Sequence, residues 1–155
     1  MASGKIRAER RIRNEGTLGW RASVVTRVSD ALNDRGKPVK GSRILLLGAA
    51  YKPDVDDCRE SPTFELIELL QERGANVAYN DPHVPTIEHR RGHDFRLEST
   101  PLTPETLTAQ DCMVIVTDHA AYDWNDIAQH APLLVDTRGC TRRLSCREGT
   151  SIVMA

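Results

Sequence analysis

The sequence predicts an α/β fold in which a mostly parallel sheet is covered by helices on both faces. Short apolar runs such as Ile44–Leu47 and Cys112–Thr117 lack the alternation of a half-exposed strand, so we expect them to be buried on both sides. Segments with helical periodicity separate these runs along the chain of 155 residues. Strands that alternate with amphipathic helices form a Rossmann-like three-layer sandwich.

The first predicted element is a helix from Trp20 to Arg35, because Val24, Val28 and Leu32 recur on one face and Gly36 fits a C′ stop. The elements that follow in chain order are a strand at Arg43–Leu47, a helix at Pro62–Arg73, a strand at Asn76–Asn80, a weak helix, a short strand near Phe95, a short helix at Pro104–Ala109, a strand at Cys112–Thr117, a helix at Trp124–His130 and a strand at Leu133–Asp136.

Composition excludes several classes of function. A net charge of -1 argues against a general binder of nucleic acid or of anionic membranes, and no apolar run approaches the roughly 20 residues of a membrane span. The 4 cysteines form no C-x-x-C pair, so we expect reduced thiols in a cytoplasmic protein, with Cys112 in the core. Residues 1–19 are rich in cations and predict a disordered arm. A basic arm for nucleic acid is the alternative, which the lack of interleaved aromatic residues disfavours.

The most distinctive segment is the loop from Gly48 to Ser61, between the first predicted strand and the next helix. It is longer than such a link needs and carries Lys52 and Arg59 among several carboxylates. Open α/β sheets bind ligands at the carboxyl ends of their strands, and Arg138 follows the last predicted strand toward the same edge. Cations beside a glycine-started turn suit a ligand with phosphates, to which main-chain N–H groups near Gly48 could also donate.

Each of these candidates has a plainer alternative. Lys52 and Arg59 could pair with neighbouring carboxylates in a solvated cluster of little energy. Asp81 stands where dinucleotide-binding folds place a ribose-binding acid. An Asx-type turn is favoured there, because proline follows Asp81 and no G-x-G-x-x-G follows the first strand. His119 could act with Asp118 in acid–base chemistry, but a packing role at the strand end is favoured.

The other histidines and aromatic residues predict no chemistry. A zinc site is not predicted for the histidines of the polar segment, because they lack a tight pair and carboxylate company; these are His83, His89 and His93. The larger aromatic residues are expected in the core or at an interface; these are Trp20, Tyr122 and Trp124.

Residues 48–62, GAAYKPDVDDCRESP, resemble the Gly-x-Ala-Tyr/Phe-Lys-x-Asp-x-Asp-Asp-x-Arg-Glu-Ser segment of the UDP-glucose/GDP-mannose dehydrogenase family, in its carboxyl-terminal UDP-sugar-binding domain. The resemblance extends over roughly Val24 to Ala155, through three further segments. These segments are Asp81–Pro85, Val116–Asp123 and Val135–Arg138. The Thr-Asp-His-x-x-Tyr and Asp-Thr-Arg variants are most similar to the UDP-N-acetylhexosamine 6-dehydrogenases.

The resemblance implies the site residues. Tyr51 and Lys52 would contact a UDP-sugar, as would Arg138, and with Gly48 they make up the predicted substrate site. Arg59 is the predicted cofactor-binding residue, since the equivalent arginine reaches NAD held by another domain. No catalytic residue and no metal is predicted. The implied partner is a UDP-sugar, in nucleotide-sugar metabolism and polysaccharide biosynthesis.

The resemblance has gaps that bear on activity. The family's oxidation of an alcohol to a carboxylate uses NAD in two steps and needs a cysteine nucleophile and a dinucleotide fingerprint, and neither is found in this sequence. Cys58 occupies a variable position and is not expected to be that nucleophile. Ala49 and Pro53 replace residues usual in the family, and Pro53 removes a donor. We therefore predict the UDP-sugar-binding domain of an NAD-dependent 6-dehydrogenase, inactive alone; the alternative is a structural or oligomerisation module that has lost its ligand.

Three parts are predicted along the chain. Residues 1–19 form the arm, residues 20–36 resemble the end of the family's central linker helix, and residues 41–155 form the UDP-sugar-binding domain. We expect the stripe of Val24, Val28 and Leu32 to be partly uncovered, which would favour a homodimer through the helix. Residues 151–155 resemble a natural carboxyl end.

Overall fold

The computed structural model describes residues 17–59, 61–89, 94–142, 144 and 150–155. The elements are α1 (Thr17–Asp34), β1 (Arg43–Leu47), α2 (Pro62–Glu72), β2 (Asn76–Asn80), β3 (Thr86–His89), β4 (Phe95–Glu98), α3 (Pro104–Thr108), β5 (Cys112–Ile115), α4 (Trp124–His130), β6 (Leu133–Asp136) and β7 (Ser151–Met154). A 5-stranded parallel sheet has the order β2-β1-β5-β6-β7, and β3 and β4 form a separate antiparallel hairpin. The predicted α/β fold is confirmed, and β1 lies beside β5 at the point where the strand order reverses.

Helices cover both faces of the sheet, which explains the unbroken apolar strands. In β1, Ile44 and Leu46 belong to the cluster that packs under α1 and α2, whereas Leu45 and Leu47 belong to the cluster on the side of α3 and α4. All four side chains are 0% exposed. Burying an aliphatic side chain of this size contributes roughly 1.5–3 kcal/mol, so β1 anchors both halves of the core and holds the loop that follows it.

The apolar stripe of α1 is fully used inside the domain. Val24 is 2% exposed, and Val28 and Leu32 are 0% exposed, because α1 packs against α2 and against β5 and β6. The expectation that this stripe would be partly uncovered is therefore wrong, and the stripe is not available for a dimer contact. Among the described residues, no helix has both the length and the apolar character required to cross a membrane.

Two predictions near the sheet edges are also corrected. The weak helix expected after β2 is instead strand β3, whose Ile87 pairs with Leu97 of β4 and is 2% exposed while Glu88 points outward. This alternation is the signature of a half-buried strand. The tail forms β7, which was not predicted, because so short a strand depends on pairing with β6. The predicted arm lies outside the described residues up to position 16, and Thr17 begins α1.

Candidate functional site

The loop between β1 and α2 lies at the carboxyl edge of the sheet, with β2 on one side of β1 and β5 on the other. It ends where the side chain of Ser61 accepts a hydrogen bond from the N–H of Thr63, with Pro62 in the first turn of α2. Loops after β5 and β6 emerge at the same edge because the strands are parallel. Lys52, His119 and Arg138 each follow a strand of this sheet, so their loops lie at the same edge.

The main-chain N–H groups at the start of the loop are all used within the protein. Gly48 donates to the carbonyl that ends β2 (2.8 Å), and Tyr51 donates to a carbonyl later in the loop (2.7 Å). Ala49 and Ala50 donate to Oδ2 of Asp81 at 2.7 and 2.9 Å. The expectation that these groups could donate to a ligand's phosphates is therefore wrong. For the same reason, this turn does not fit the pyrophosphate of a dinucleotide such as NAD.

Gly48 allows two segments of the protein to pack closely. Its φ is 103°, and a Cβ at this position would lie 2.5 Å from Cβ of Thr117 and 2.7 Å from its nitrogen. The carbonyl of Gly48 accepts from the hydroxyl of Thr63 (2.8 Å), and Thr117 donates its own hydroxyl to the carbonyl of Ala50 (2.9 Å). Glycine is thus required at position 48, because the loop after β5 approaches too closely to leave room for a Cβ.

Asp81 connects three segments at the end of β2. It is 2% exposed, and besides the two alanine N–H groups it accepts from the N–H of His83 (2.8 Å) and from Nε2 of His119 (2.8 Å). The favoured Asx-type turn is confirmed by the His83 contact. Burial by itself raises the pKa of Asp81, but the hydrogen bonds from Ala49, His83, His119 and Ala50 outweigh it and hold the pKa below its ordinary value.

His119 has the packing role that was favoured, and its partners are not the neighbouring Asp118. The ring is 0% exposed. The N–H of Asp54 donates to Nδ1 (2.8 Å), so Nδ1 is the acceptor and Nε2 carries the hydrogen donated to Asp81. Sequence reasoning missed this pair because Asp81 and His119 are 38 residues apart and meet only through the strand order.

Lys52 and Arg59 differ in their surroundings. Lys52 is exposed, and its Nζ lies 5.9 Å from the ring centroid of Tyr51, which is 50% exposed. Within the described part of the chain, Lys52 has no carboxylate within ion-pair distance. Arg59 instead contacts Asp57 through Nε (3.1 Å) and Nη2 (3.0 Å), which lowers the pKa of Asp57. The charge-pair alternative therefore holds for Arg59 and not for Lys52.

Arg138 is placed by a turn that Asp136 organises at the end of β6. The N–H of Arg138 donates to Oδ1 of Asp136 (2.8 Å), and its Nε donates to the carbonyl of Val116 (2.8 Å). The guanidinium carbon lies 6.0 Å from the ring centroid of Trp20, in the first turns of α1. Among the described residues, the two terminal nitrogens of the guanidinium have no hydrogen-bond partner.

The carboxylate of Asp136 is fully buried, and its turn is local. Burial raises its pKa, but the hydroxyl and N–H of Thr141 and the N–H groups of Arg138 and Gly139 donate to it and hold the pKa below its ordinary value. Each donor lies within five residues of Asp136. This turn is what presents Arg138 at the sheet edge.

Two histidines near the loop could suggest a metal, but both ring nitrogens of His119 are hydrogen-bonded within the protein. Ligand atoms of Asp54, His83 and His119 lie within 4.8 Å of one another. Both ring nitrogens of His119 already take part in hydrogen bonds, so this group is a hydrogen-bonded network. Of the other histidines, His89 stacks on the ring of Phe64, with 5.8 Å between centroids, and His93 lies outside the described residues.

The larger aromatic residues lie where they were expected. Tyr122 is 8% exposed and donates its hydroxyl to the carbonyl of Asn80 (2.8 Å). Trp20 and Trp124 are partly buried against the two core clusters.

The described cysteines are free thiols, and burial raises the pKa of each; they are Cys58, Cys112 and Cys140. The pKa reaches about 12 for Cys112, which is 0% exposed in the core as predicted. Cys58 also lies near Asp57, Asp81 and Asp56, whose charges raise its pKa further. A raised pKa makes a thiol a poorer nucleophile. Cys146 lies outside the described residues.

Comparison with known proteins agrees with this fold and loop. The chain is 36% identical over 103 residues to UDP-N-acetyl-D-mannosamine dehydrogenase of Methanococcus maripaludis, covering 65% of this chain and 21% of that protein. It is 33% identical over 113 residues to UDP-glucose 6-dehydrogenase of Rhizobium meliloti, covering 70% of this chain and 25% of that protein. The chain thus spans about a quarter or less of these relatives.

A solved structure of UDP-D-ManNAc dehydrogenase from Pyrococcus horikoshii shares the fold with a TM-score of 0.67 and 22% identity, covering 86% of this chain and 30% of that one. The sequence model of the UDP-glucose/GDP-mannose dehydrogenase family, UDP binding domain, matches residues 45–143. This match begins in β1, contains the β1–α2 loop and the turn of Arg138, and covers well over half of the chain. The chain belongs to the UDP-glucose/GDP-mannose dehydrogenase family and carries its UDP binding domain.

Proposed function

We propose that the β1–α2 loop and the turn after β6, which lie at the same sheet edge, together bind the UDP part of a nucleotide sugar. The observation that carries this proposal is the lack of a carboxylate partner for Lys52 and Arg138 among the described residues. Both are cations at the same sheet edge, and within the described residues neither is paired with a carboxylate. Cations held this way suit the two phosphates of a nucleoside diphosphate, which arginine can bind with two parallel hydrogen bonds.

Aromatic rings support each cation. Tyr51 lies beside Lys52, and Trp20 lies beside Arg138. An exposed ring such as Tyr51 can also stack on a base or pack against a sugar. Gly48 contributes by its close packing on Thr117 and not by a donated N–H.

We further propose that the domain acts within an NAD-dependent nucleotide-sugar 6-dehydrogenase, with NAD bound mainly outside it. Arg59 is the residue proposed to reach NAD, since its side chain is 88% exposed beside Asp57. The described cysteines are free thiols, which supports a reducing compartment such as the cytoplasm.

The test is a calorimetric titration of the chain with UDP. We expect saturable binding to the wild-type protein. Lys52→Ala and Arg138→Ala should each weaken it by about ten-fold, or about 1.4 kcal/mol, through loss of a contact to phosphate. The matched control is Lys40→Ala. Lys40 is an exposed lysine before the start of β1, at the opposite edge of the sheet, and its loss should leave affinity unchanged.

Two outcomes would contradict the proposal. If the folded wild-type chain does not bind UDP, the alternative of a structural module is favoured. Equal losses in Lys52→Ala and Lys40→Ala would mean that binding reflects general charge and not this edge of the sheet. We also expect no NADH from the chain with NAD and UDP-glucose or UDP-N-acetylmannosamine, and sustained NADH formation would contradict its proposed inactivity alone.

A further inference from the structure

A continuous path of hydrogen bonds joins the buried end of β2 to the β1–α2 loop. It starts at Oδ2 of Asp81, passes to Nε2 of His119 (2.8 Å), and continues from Nδ1 to the N–H of Asp54 (2.8 Å). The carboxylate of Asp54 then accepts the N–H of Ala120 at 2.7 Å. The loop is therefore tied to the β5–α4 connection twice, once through a histidine ring and once through a carboxylate.

The loop conformation at Asp54 needs such support. Asp54 has a φ of 63°, and it is the one non-glycine residue with positive φ among the described residues. This region is unfavourable for a residue with a Cβ, although aspartate tolerates it better than most. Strained residues of this kind persist where surrounding contacts determine them. The contacts here are the bond of His119 to the N–H of Asp54 and the bond of Ala120 to its side chain.

Neither Asp81 nor His119 can reach a ligand directly. They are 2% and 0% exposed, whereas Tyr51, Lys52 and the residues up to Asp56 are exposed. Any influence on binding must therefore pass through the loop. The start of the loop is held by the same carboxylate, since Ala49 and Ala50 also donate to Asp81. One buried carboxylate thus fixes both the beginning of the loop and, through His119, its middle.

We infer that Asp81 and His119 are positioning residues that set the conformation of residues 51–57 and thereby determine affinity for the nucleotide, an inference that rests on the UDP site proposed above. Within this path, Nδ1 of His119 is the atom that holds Asp54, and Nε2 is the atom that joins the ring to Asp81. The two nitrogens therefore have separable effects.

Two substitutions separate these nitrogens. His119→Asn places an acceptor near the position of Nδ1, so it can still accept the N–H of Asp54 but cannot reach Asp81. His119→Gln places a donor near the position of Nε2, so it can still reach Asp81 but offers no acceptor to Asp54. His130→Gln is the matched control, because His130 lies on α4 and, among the described residues, its Nδ1 contacts groups of Asp126 alone.

The first measurement is amide hydrogen exchange without ligand. In the wild-type protein the N–H of Asp54 should be protected. We expect His119→Asn to keep this protection and His119→Gln to speed its exchange by about ten-fold, with amides of β1 and β5 unchanged in both. Rapid exchange of Asp54 in the wild type would overturn the inference, as would equal behaviour of the two variants. Failure of both to fold would also overturn it, because the histidine would then be needed by the whole fold.

The second measurement is UDP affinity of the same proteins. We expect His119→Gln to weaken binding by about ten-fold and His119→Asn by about two-fold, and His130→Gln to have no effect. In a Lys52→Ala background the loss from His119→Gln should nearly disappear, because the histidine acts through the loop that carries Lys52. An undiminished loss there would overturn the inference. If the wild type fails to bind UDP, the proposed function fails, while hydrogen exchange still decides whether His119 holds the loop.

Discussion

Two buried aspartates lie at the carboxyl ends of separate strands of the same sheet, and they have different roles. Asp81 follows β2, and Asp136 ends β6; both are buried, and hydrogen bonds hold the pKa of both below the ordinary value. The donors to Asp81 come from two other loops as well as its own, at separations of 31, 32 and 38 residues. The N–H donors to Asp136 all lie 2 to 5 residues along its own turn.

Asp81 therefore acts as a long-range clamp, meaning a carboxylate that joins loops far apart in the chain, whereas Asp136 organises a local turn. The Asp81 carboxylate can make all of its contacts only when β1 is paired with both β2 and β5. Its hydrogen bonds therefore depend on the assembled sheet. The N–H donors to Asp136 instead all come from residues 138–141, so this turn is held by contacts within one short segment. Both support a cation of the proposed site. Lys52 depends on a long-range clamp, whereas Arg138 depends on a local turn and on the ring of Trp20.

The largest expected effect is on stability when the clamp is removed. Asp81→Asn should lower the free energy of unfolding by about 4 kcal/mol, because an amide cannot accept all of these buried donors. Asp136→Asn should cost about 2 kcal/mol, because Arg138 is exposed and water can reach part of the turn. Urea denaturation followed by circular dichroism measures both. Equal costs would show that the two carboxylates are energetically alike.

The glycines of the two loops provide a second comparison. Gly48→Ala should cost about 3 kcal/mol, because its Cβ would lie 2.5 Å from Cβ of Thr117 and φ is 103°. Gly139 also has a positive φ (78°), but its nearest neighbour would be the flexible end of Arg142 at 3.2 Å. Gly139→Ala should therefore cost about 1 kcal/mol, the penalty of the left-handed conformation alone. Thermal unfolding of the two variants would test this order, and a costlier Gly139→Ala would reverse it.

The smallest expected effect is on acid stability. Because the folded pKa of Asp81 and of Asp136 is depressed, their stabilisation is present above the unfolded pKa of about 4 and is lost as pH falls through the lower folded values. Each carboxylate can change stability by at most about 1.4 kcal/mol per pH unit.

The decline of unfolding free energy below about pH 4 should therefore be shallower in Asp81→Asn and in Asp136→Asn than in the wild type. Unfolding in urea at a series of pH values gives this slope. A variant as acid-sensitive as the wild type would show that its carboxylate does not contribute.

Much of the fold could be predicted because its signals are local. The strands at Arg43–Leu47, Asn76–Asn80 and Leu133–Asp136 and the helix at Trp124–His130 have the predicted bounds. Strand β3 was mistaken for a helix, because its alternation is short and is decided by pairing with β4. Strand β7 was missed for the same reason, since four residues carry little periodicity before they pair with β6.

The candidate site was predictable in its charged residues but not in its support. Lys52, Arg59 and Arg138 stand out by residue type and by place in the motif. The contacts of these side chains cannot be predicted in the same way. Arg59 contacts Asp57 and Lys52 does not, and the spacing of the residues does not distinguish these two cases. The hydrogen bonds from N–H groups of the loop to Asp81 could not be predicted either, since they depend on β2 ending beside β1.

Local sequence thus specified the strands, the helices and the motif that marks the loop, because periodicity, caps and turn residues act over a few positions. The assembled sheet decided which groups meet. It buried the stripe of α1, paired Asp81 with His119, and brought Gly48 against Thr117. Contacts between residues far apart in the chain depend on strand order and on close packing. Strand order and close packing are properties of the whole fold, so no single segment of the sequence specifies them.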